Sequence, residues 1–313
     1  MTTMTPLELA REPGSYRWYY LDVSSGEWTA VAIFMLGSLF SSRYSRRHDR
    51  GALPIAHSAV NFALYKAGRR VAWVLSEYPH AELKGNTLHI GPSTLERAKD
   101  GRTIARIIER TPWWPTPVHA DLVIEPNGPT TNSITLVDGL SHQWHPFAVR
   151  ARGDVHVPSH GIRFDGEGYH DGNSGSRVLG TDLSGWSWIR THRVDASSVV
   201  YRPNGPKALG PTAMGREPTW QVRVDAQHAS VTRSELPSED STRTRWGLSI
   251  PSSLGLDAPC TLLESSPFYA RLEARTADAH ALGESGDFAR FHSPFVRWMA
   301  DFRTRTHRMG TQS

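Results

Sequence analysis

Lys84-Gly85-Asn86-Thr87-Leu88-His89-Ile90-Gly91-Pro92-Ser93-Thr94-Leu95-Glu96, continuing through Asp100-Gly101 to Thr103-Ile104-Ala105-Arg106-Ile107-Ile108, sets a helix against a pair of hairpins. Ser93-Thr94-Leu95-Glu96 has the form of a helix capping box, a hydroxyl side chain three residues before an acid. Asp100-Gly101 follows too soon for a helix to grow from it. Gly-Asn and Asp-Gly pairs tolerate the positive φ angles of tight hairpin turns. The runs Thr87–Ile90 and Thr103–Ile108 beside them read as strands, so the stretch is expected to fold as hairpins.

The same punctuation recurs outward in both directions, at Ser25-Gly26, Asn127-Gly128, Asp138-Gly139, Asp165-Gly166 and Asn204-Gly205. Between these pairs lie further strand-like runs: Trp28–Leu36, Asn61–Tyr65, Val71–Leu75, Ala120–Ile124, Ser133–Leu136, Ser198–Tyr201, Trp220–Val224 and Tyr269–Glu273. Many short strands with frequent turn signals argue for an all-β sandwich or barrel. There is no βαβ rhythm, no G-x-G-x-x-G and no G-x-x-x-x-G-K-[ST], which speaks against a nucleotide-binding α/β fold. Pro203–Pro218 reads as a long loop.

The chain has 313 residues, room for two ordinary domains. Gly, Asp and Ser become dense after about Arg152, so the expected units are residues 1–150 and 151–313. Hydrophobic residues at 38% and charged residues at 21% exclude a disordered chain. Cys260 is the only cysteine, which excludes an internal disulfide and a Cys-based zinc or redox site. The longest apolar run, Ala30–Phe40, falls short of the ~20 residues a spanning helix needs. Met1–Ser15 lacks the apolar core of a signal peptide, and a cytoplasmic location is expected. The net charge of +4 permits attraction to anionic lipid or nucleic acid but demands neither. Trp and Tyr, 11 and 9 against 10 Phe, suit β-structure and apolar ligand pockets.

Helix is expected only at the C-terminus. Phe291, Phe295, Trp298, Met299 and Phe302 share one helical face, with Arg290, Arg297, Arg303 and Arg305 around it. The expected role of that face is core packing; the alternative is a basic amphipathic helix against a membrane.

Chemistry concentrates between His142 and Trp188, where proton-transferring side chains sit among large aromatic ones. On alternating strands His142 and Trp144 point the same way, as do Tyr169 and Asp171. Two such strands side by side could bring all four into one acid–base pocket with an apolar wall. A structural role for these residues is the competing reading, including an Asp171 that caps a Gly172–Gly175 turn. A metal site drawn from His142, His145, His156, His160 and His170 has little support, since H-E-x-x-H is absent. The absence of G-x-S-x-G leaves a hydrolase elbow without support.

Pro13-Gly14-Ser15-Tyr16-Arg17-Trp18-Tyr19-Tyr20-Leu21-Asp22, Gly37-Ser38-Leu39-Phe40-Ser41 and His57-Ser58-Ala59-Val60-Asn61-Phe62-Ala63-Leu64-Tyr65 resemble, in order, motifs of the acyclic carotenoid 1,2-hydratase (hydroxyneurosporene synthase) family. His142-x-Trp144-x-Pro146, Gly168-Tyr169-x-Asp171-x-Asn173-x-Gly175 and Ser184-Gly185-Trp186-x-Trp188 continue the series. Ser266–Arg271 and Phe291-x-Ser293-Pro294 complete it. Departures are His145 where members often carry a second Trp, Ser42 for a Pro, and the basic run Arg43–Arg47.

The resemblance implies two lipocalin-like antiparallel β-domains, barrel or sandwich, around a hydrophobic cavity. It implies a lyase that hydrates the terminal 1,2 double bond of an acyclic carotenoid with no cofactor and no metal. The partners it implies are the polyene and water, not nucleic acid. The family residues associated with that chemistry correspond to His142, Trp144, Tyr169 and Asp171; on physical grounds Asp171, kept protonated by burial, is the expected proton donor, Trp144 the ring facing the carbocation, Tyr169 the group orienting the acid and His142 the base. Within the same superfamily the alternative is a cyclase or pericyclase acting on another polyene; outside catalysis, it is a lipid carrier. A substrate resident in the bilayer implies peripheral membrane contact, for which Arg43, Arg46, Arg47 and Arg50 beside Tyr44 are the expected residues. The oligomeric state is left open.

Overall fold

A computed structural model describes residues 6–137, 142–204, 216–237 and 240–307. Among them one sheet of thirteen strands dominates. Its middle runs through Ser58–Lys66, Trp28–Leu36, Tyr16–Ser25, Ile162–Gly175 and His142–Val157, all paired antiparallel. The hairpins of the opening stretch form one wing as Thr87–Ile90, Ser93–Arg97 and Thr103–Arg110. The capping-box tetrapeptide is thus strand, and Gly85 and Gly101 take the positive φ of the two turns. A second sheet of seven strands carries Gly185–Arg193 and Ala279–Asp287 at its centre.

Alternation of side chains along each strand explains how the sheets pack. On Tyr16–Ser25, the residues Tyr19, Leu21 and Val23 join a core made mainly from the large sheet, with Leu7 and Ala10 of the preceding segment. That core includes Phe34, Phe62 and Val74 from one wing and Leu88, Ile107 and Leu122 from the other, so the sheet curls over itself. Tyr16, Trp18 and Tyr20 face the other way, into a core shared with Trp186, Trp188, Tyr201 and Tyr269 of the second sheet. Both faces of the central strands are therefore buried. This is why Ala30–Leu36 reads as an unbroken apolar run rather than an alternating one.

The all-β architecture with one short C-terminal helix matches the sequence reading, and several local expectations do not. Asp165-Gly166 lies inside the strand Ile162–Gly175 rather than in a turn. A Cβ at Gly166 would come within 2.2 Å of the Ser24 carbonyl oxygen, so its glycine serves strand approach. Pro203 and Asn204 end the strand Ser197–Asn204, and Pro218 lies in Arg216–Val224; Asp138-Gly139, Gly205 and the rest of the expected loop fall outside the described residues. A division at residue 150 would cut the strand His142–Val157, whereas the chain passes between the two sheets over residues 176–184.

The C-terminal helix, Pro294–Phe302, corrects the expected core face. It buries Val296 and Ala300, while Phe295, Trp298 and Phe302 are exposed. Tyr44, expected on the surface, is buried and donates to the Ser15 carbonyl at 2.6 Å. No helix among the described residues is long and apolar enough to cross a membrane.

Candidate active site

Three neighbouring strands build the site. Ile162–Gly175 lies between Tyr16–Ser25 and His142–Val157, with Tyr20 opposite Asp171, Asp22 opposite Tyr169, and Trp144 opposite Asn173. Trp144 and Asp171 are thus diagonal neighbours on one face, within reach of a long side chain. Pro146 lacks the N–H a regular ladder needs, and the register shifts between His145 and Ala148. Gly172 lets the strands close behind the acid: a Cβ there would stand 2.8 Å from the Phe147 ring and 3.1 Å from the Trp18 carbonyl oxygen.

The structure brings Asp171, Trp144 and Tyr169 into direct contact. The Trp144 Nε1–H and the Tyr169 hydroxyl both donate to Asp171 Oδ2, each at 2.8 Å. Both donors engage Oδ2, so when the acid is protonated Oδ1 is the oxygen placed to carry the proton. Asp171 is only 3% exposed. Burial raises its pKa to about 7 from the usual 3.8, with further upward pressure from the charges of Glu284 and Asp22, against the two donors, which lower it. The residues 172–175 continue the strand, so the expected alternative of Asp171 capping a turn there does not hold.

His142 shares the face but not the contact. Its Nδ1 meets the Tyr16 hydroxyl and its Nε2 the Tyr201 hydroxyl at 3.2 Å. Complete burial lowers its pKa to about 3, so the imidazole is neutral. Tyr201 joins it to the acid's surroundings, its ring centroid 5.3 Å from that of Trp144.

Other residues of the site were not singled out from the sequence. Trp188 packs against Tyr169 and Tyr20, each at 5.4 Å between ring centroids. Tyr20 and Trp188 were visible as motif members, and the alternation of Trp186-x-Trp188 signals a shared face. Asp22 was likewise a motif member, while Tyr201 and Glu284 reach the site through pairing between distant strands, for which local sequence carries no signal.

The histidines do not converge. His145 bonds the Ser133 and Ser174 hydroxyls, His170 Nδ1 meets the Tyr20 carbonyl on the opposite face, and His156 is exposed. Among the described residues no group of three metal-ligating side chains occurs.

A narrow cavity lies beneath the C-terminal helix, away from Asp171, lined by Phe40, Trp73, Phe268 and Tyr269 together with the polar Asn61, Glu264 and Arg303. A buried neutral acid walled by aromatic rings can protonate an apolar substrate and steady the positive charge that results.

Residues 32–312 match the family model described as Carotenoid hydratase CrtC. An acyclic carotenoid 1,2-hydratase of Thiocapsa roseopersicina is 32% identical over 95% of this chain and 74% of its own length. One from Cereibacter sphaeroides is 30% identical over 87% and 96%. Among solved structures, kievitone hydratase from Nectria haematococca superposes with a TM-score of 0.52 at 10% identity, covering 88% of this chain and 89% of that one. A Nitrosomonas europaea structure described as an AttH candidate gives 0.52 at 12% identity, over 87% and 92%. At such low identity these two likenesses speak for the fold alone.

Proposed function

The chain belongs to the carotenoid hydratase family, and we propose that it adds water across the terminal 1,2 double bond of an acyclic carotenoid without a cofactor. The observation that carries this reading is Asp171, an acid buried among aromatic rings and held by neutral donors instead of a cation.

An isolated alkene is a weak base, so protonation needs an acid already placed against its π face. Asp171 Oδ1 delivers its proton to C2, forming the C–H bond from the alkene's π electrons and leaving a tertiary cation at C1. The aromatic faces of Trp144 and Trp188 stabilise that cation, each by ~0.5–2 kcal/mol. Tyr169 and the Trp144 N–H keep Oδ2 occupied and so fix the acid's orientation. Water then bonds to C1. The resulting oxonium is far more acidic than any imidazolium, so even the weakly basic His142 can accept its proton, and return of a proton to Asp171 closes the cycle. The net change is addition of one water.

The test is co-expression in a lycopene-producing host followed by mass analysis of the pigments. The 1,2 bond lies outside the conjugated system, so mass and polarity should rise by one water, or two, while the absorption spectrum stays nearly fixed. A spectrum shifted by loss or gain of conjugation, or an unchanged pigment mass, contradicts the proposal.

A further inference from the structure

Four exposed aromatic residues pack ring to ring on the surface, and a fifth, Trp114, adjoins one of them in sequence. Phe295, Trp298 and Phe302 are 52%, 57% and 55% exposed on the outer face of the C-terminal helix. Trp113 and Trp114, 46% and 84% exposed, come from the loop between Thr103–Arg110 and Pro117–Pro126. The rings form a chain: Phe295 to Trp298 at 6.2 Å, Trp298 to Phe302 at 5.4 Å, and Phe302 to Trp113 at 5.9 Å between centroids. So many large apolar side chains are seldom left together in water without a partner.

Cations flank the patch. Asp301, on the same helix, accepts from the Ser42 backbone N–H at 2.9 Å and pairs with Arg46 at 2.9 Å. This fastens the segment Ser42–Arg50 beside the aromatic face, with Arg46, Arg47 and Arg50 exposed. The patch also touches a buried residue: Trp113 stacks on Trp73 at 6.4 Å, and Trp73 lines the narrow cavity beneath the helix.

We propose that this face is a docking surface for an anionic lipid bilayer, with Trp114, Trp298 and Phe302 entering the headgroup boundary and Arg47 and Arg50 meeting the lipid charge. Amphipathic aromatic rings favour the membrane–water interface, and basic residues beside them select anionic lipid. The choice of a bilayer over a protein partner rests on the polyene-hydratase reading, since a polyene is delivered from lipid.

Flotation with vesicles of phosphatidylcholine alone and of phosphatidylcholine with phosphatidylglycerol tests it. Wild-type protein should float with the anionic vesicles and far less with the neutral ones. Trp298→Ala with Phe302→Ala should abolish flotation, and each of Arg47→Glu and Arg50→Glu should reduce anionic-vesicle binding about fivefold or more. All these side chains are exposed, and the variants should melt as wild type does. Turnover of detergent-dispersed polyene should be unchanged in the variants. Wild-type flotation without any hydration would refute the hydratase reading and leave the docking surface standing. Unaltered flotation of the aromatic variant would overturn the proposal, as would a wild-type dimer that this variant converts to monomer without affecting flotation.

Discussion

Asp171 and Glu264 are two buried carboxylates of one molecule whose pKa values are pushed in opposite directions. Burial pushes Glu264 upward, but Arg303 at 2.6 Å and Arg271 at 3.5 Å, with the Tyr65 hydroxyl at 3.2 Å, outweigh it and hold it below its usual range. Asp171 receives only an indole N–H and a phenol, and burial wins. Asp22 stands between them: burial raises it to about 6 even though Arg190 lies at 2.7 Å. Depth in the core therefore does not decide whether an acid keeps its proton; the number and charge of its partners does. A carboxylate wrapped in arginines is built to hold sheets together, and one wrapped in neutral donors is built to give a proton away.

The largest expected effect is on turnover. Asp171→Asn keeps the size of the side chain and much of its hydrogen bonding but has no acidic proton. Hydration should fall by about 10²–10⁴-fold, the usual worth of a general acid, while folding and polyene binding persist. The comparison breaks if the same loss accompanies loss of the fold. Glu264→Gln should behave in the opposite sense. It leaves Arg271 and Arg303 short of a counter-charge in the core, so chemical denaturation should report a loss of about 3–5 kcal/mol.

The pH dependence sharpens the contrast further. Asp171 works protonated, so hydration should be highest below about pH 7 and fall as the pH rises through it. Its raised pKa also means that its contribution to stability is complete below the usual 3.8 and fades as pH rises toward about 7. The melting temperature of Asp171→Asn should therefore gain on that of the wild type across this window. For Glu264, whose pKa is lowered, stability is present above its ordinary range and is lost on acidification. The smallest effect is expected from Tyr169→Phe, which removes one donor that favours the carboxylate. Its alkaline limb should move upward, and the loss of orientation should lower turnover by about 3–10-fold, as one hydrogen bond of ~0.5–1.5 kcal/mol would.

Asp171 and its donors were legible as neighbours before the fold because strand alternation is a local property. Trp144 and Asp171 belong to short motifs whose period of two already places them on a common face. The hairpin at Asp100-Gly101 was legible for the same reason. What sets the charge of the two acids was not: Glu284 and Asp22 come from strands far along the chain, as do the arginines around Glu264. His142 and Tyr16 each stood in a motif, but the contacts that join His142 to Tyr16 and Tyr201 were not legible. The C-terminal helix shows another limit. Periodicity at Phe295, Trp298 and Phe302 marks an apolar face without saying what it meets, and the small residues Val296 and Ala300 turned out to be the ones that pack inward. Asp165-Gly166 misled because glycine serves close strand approach as well as turns.

The claim that Asp171 is a neutral acid is tested most directly by titrating its carboxyl carbon by NMR, with Asp171→Asn used to assign the signal. The account predicts a midpoint near pH 7, with protonation persisting well above the range of an ordinary aspartate. A midpoint at or below the usual 3.8 would mean an ionised carboxylate at working pH and would contradict its assignment as the proton donor.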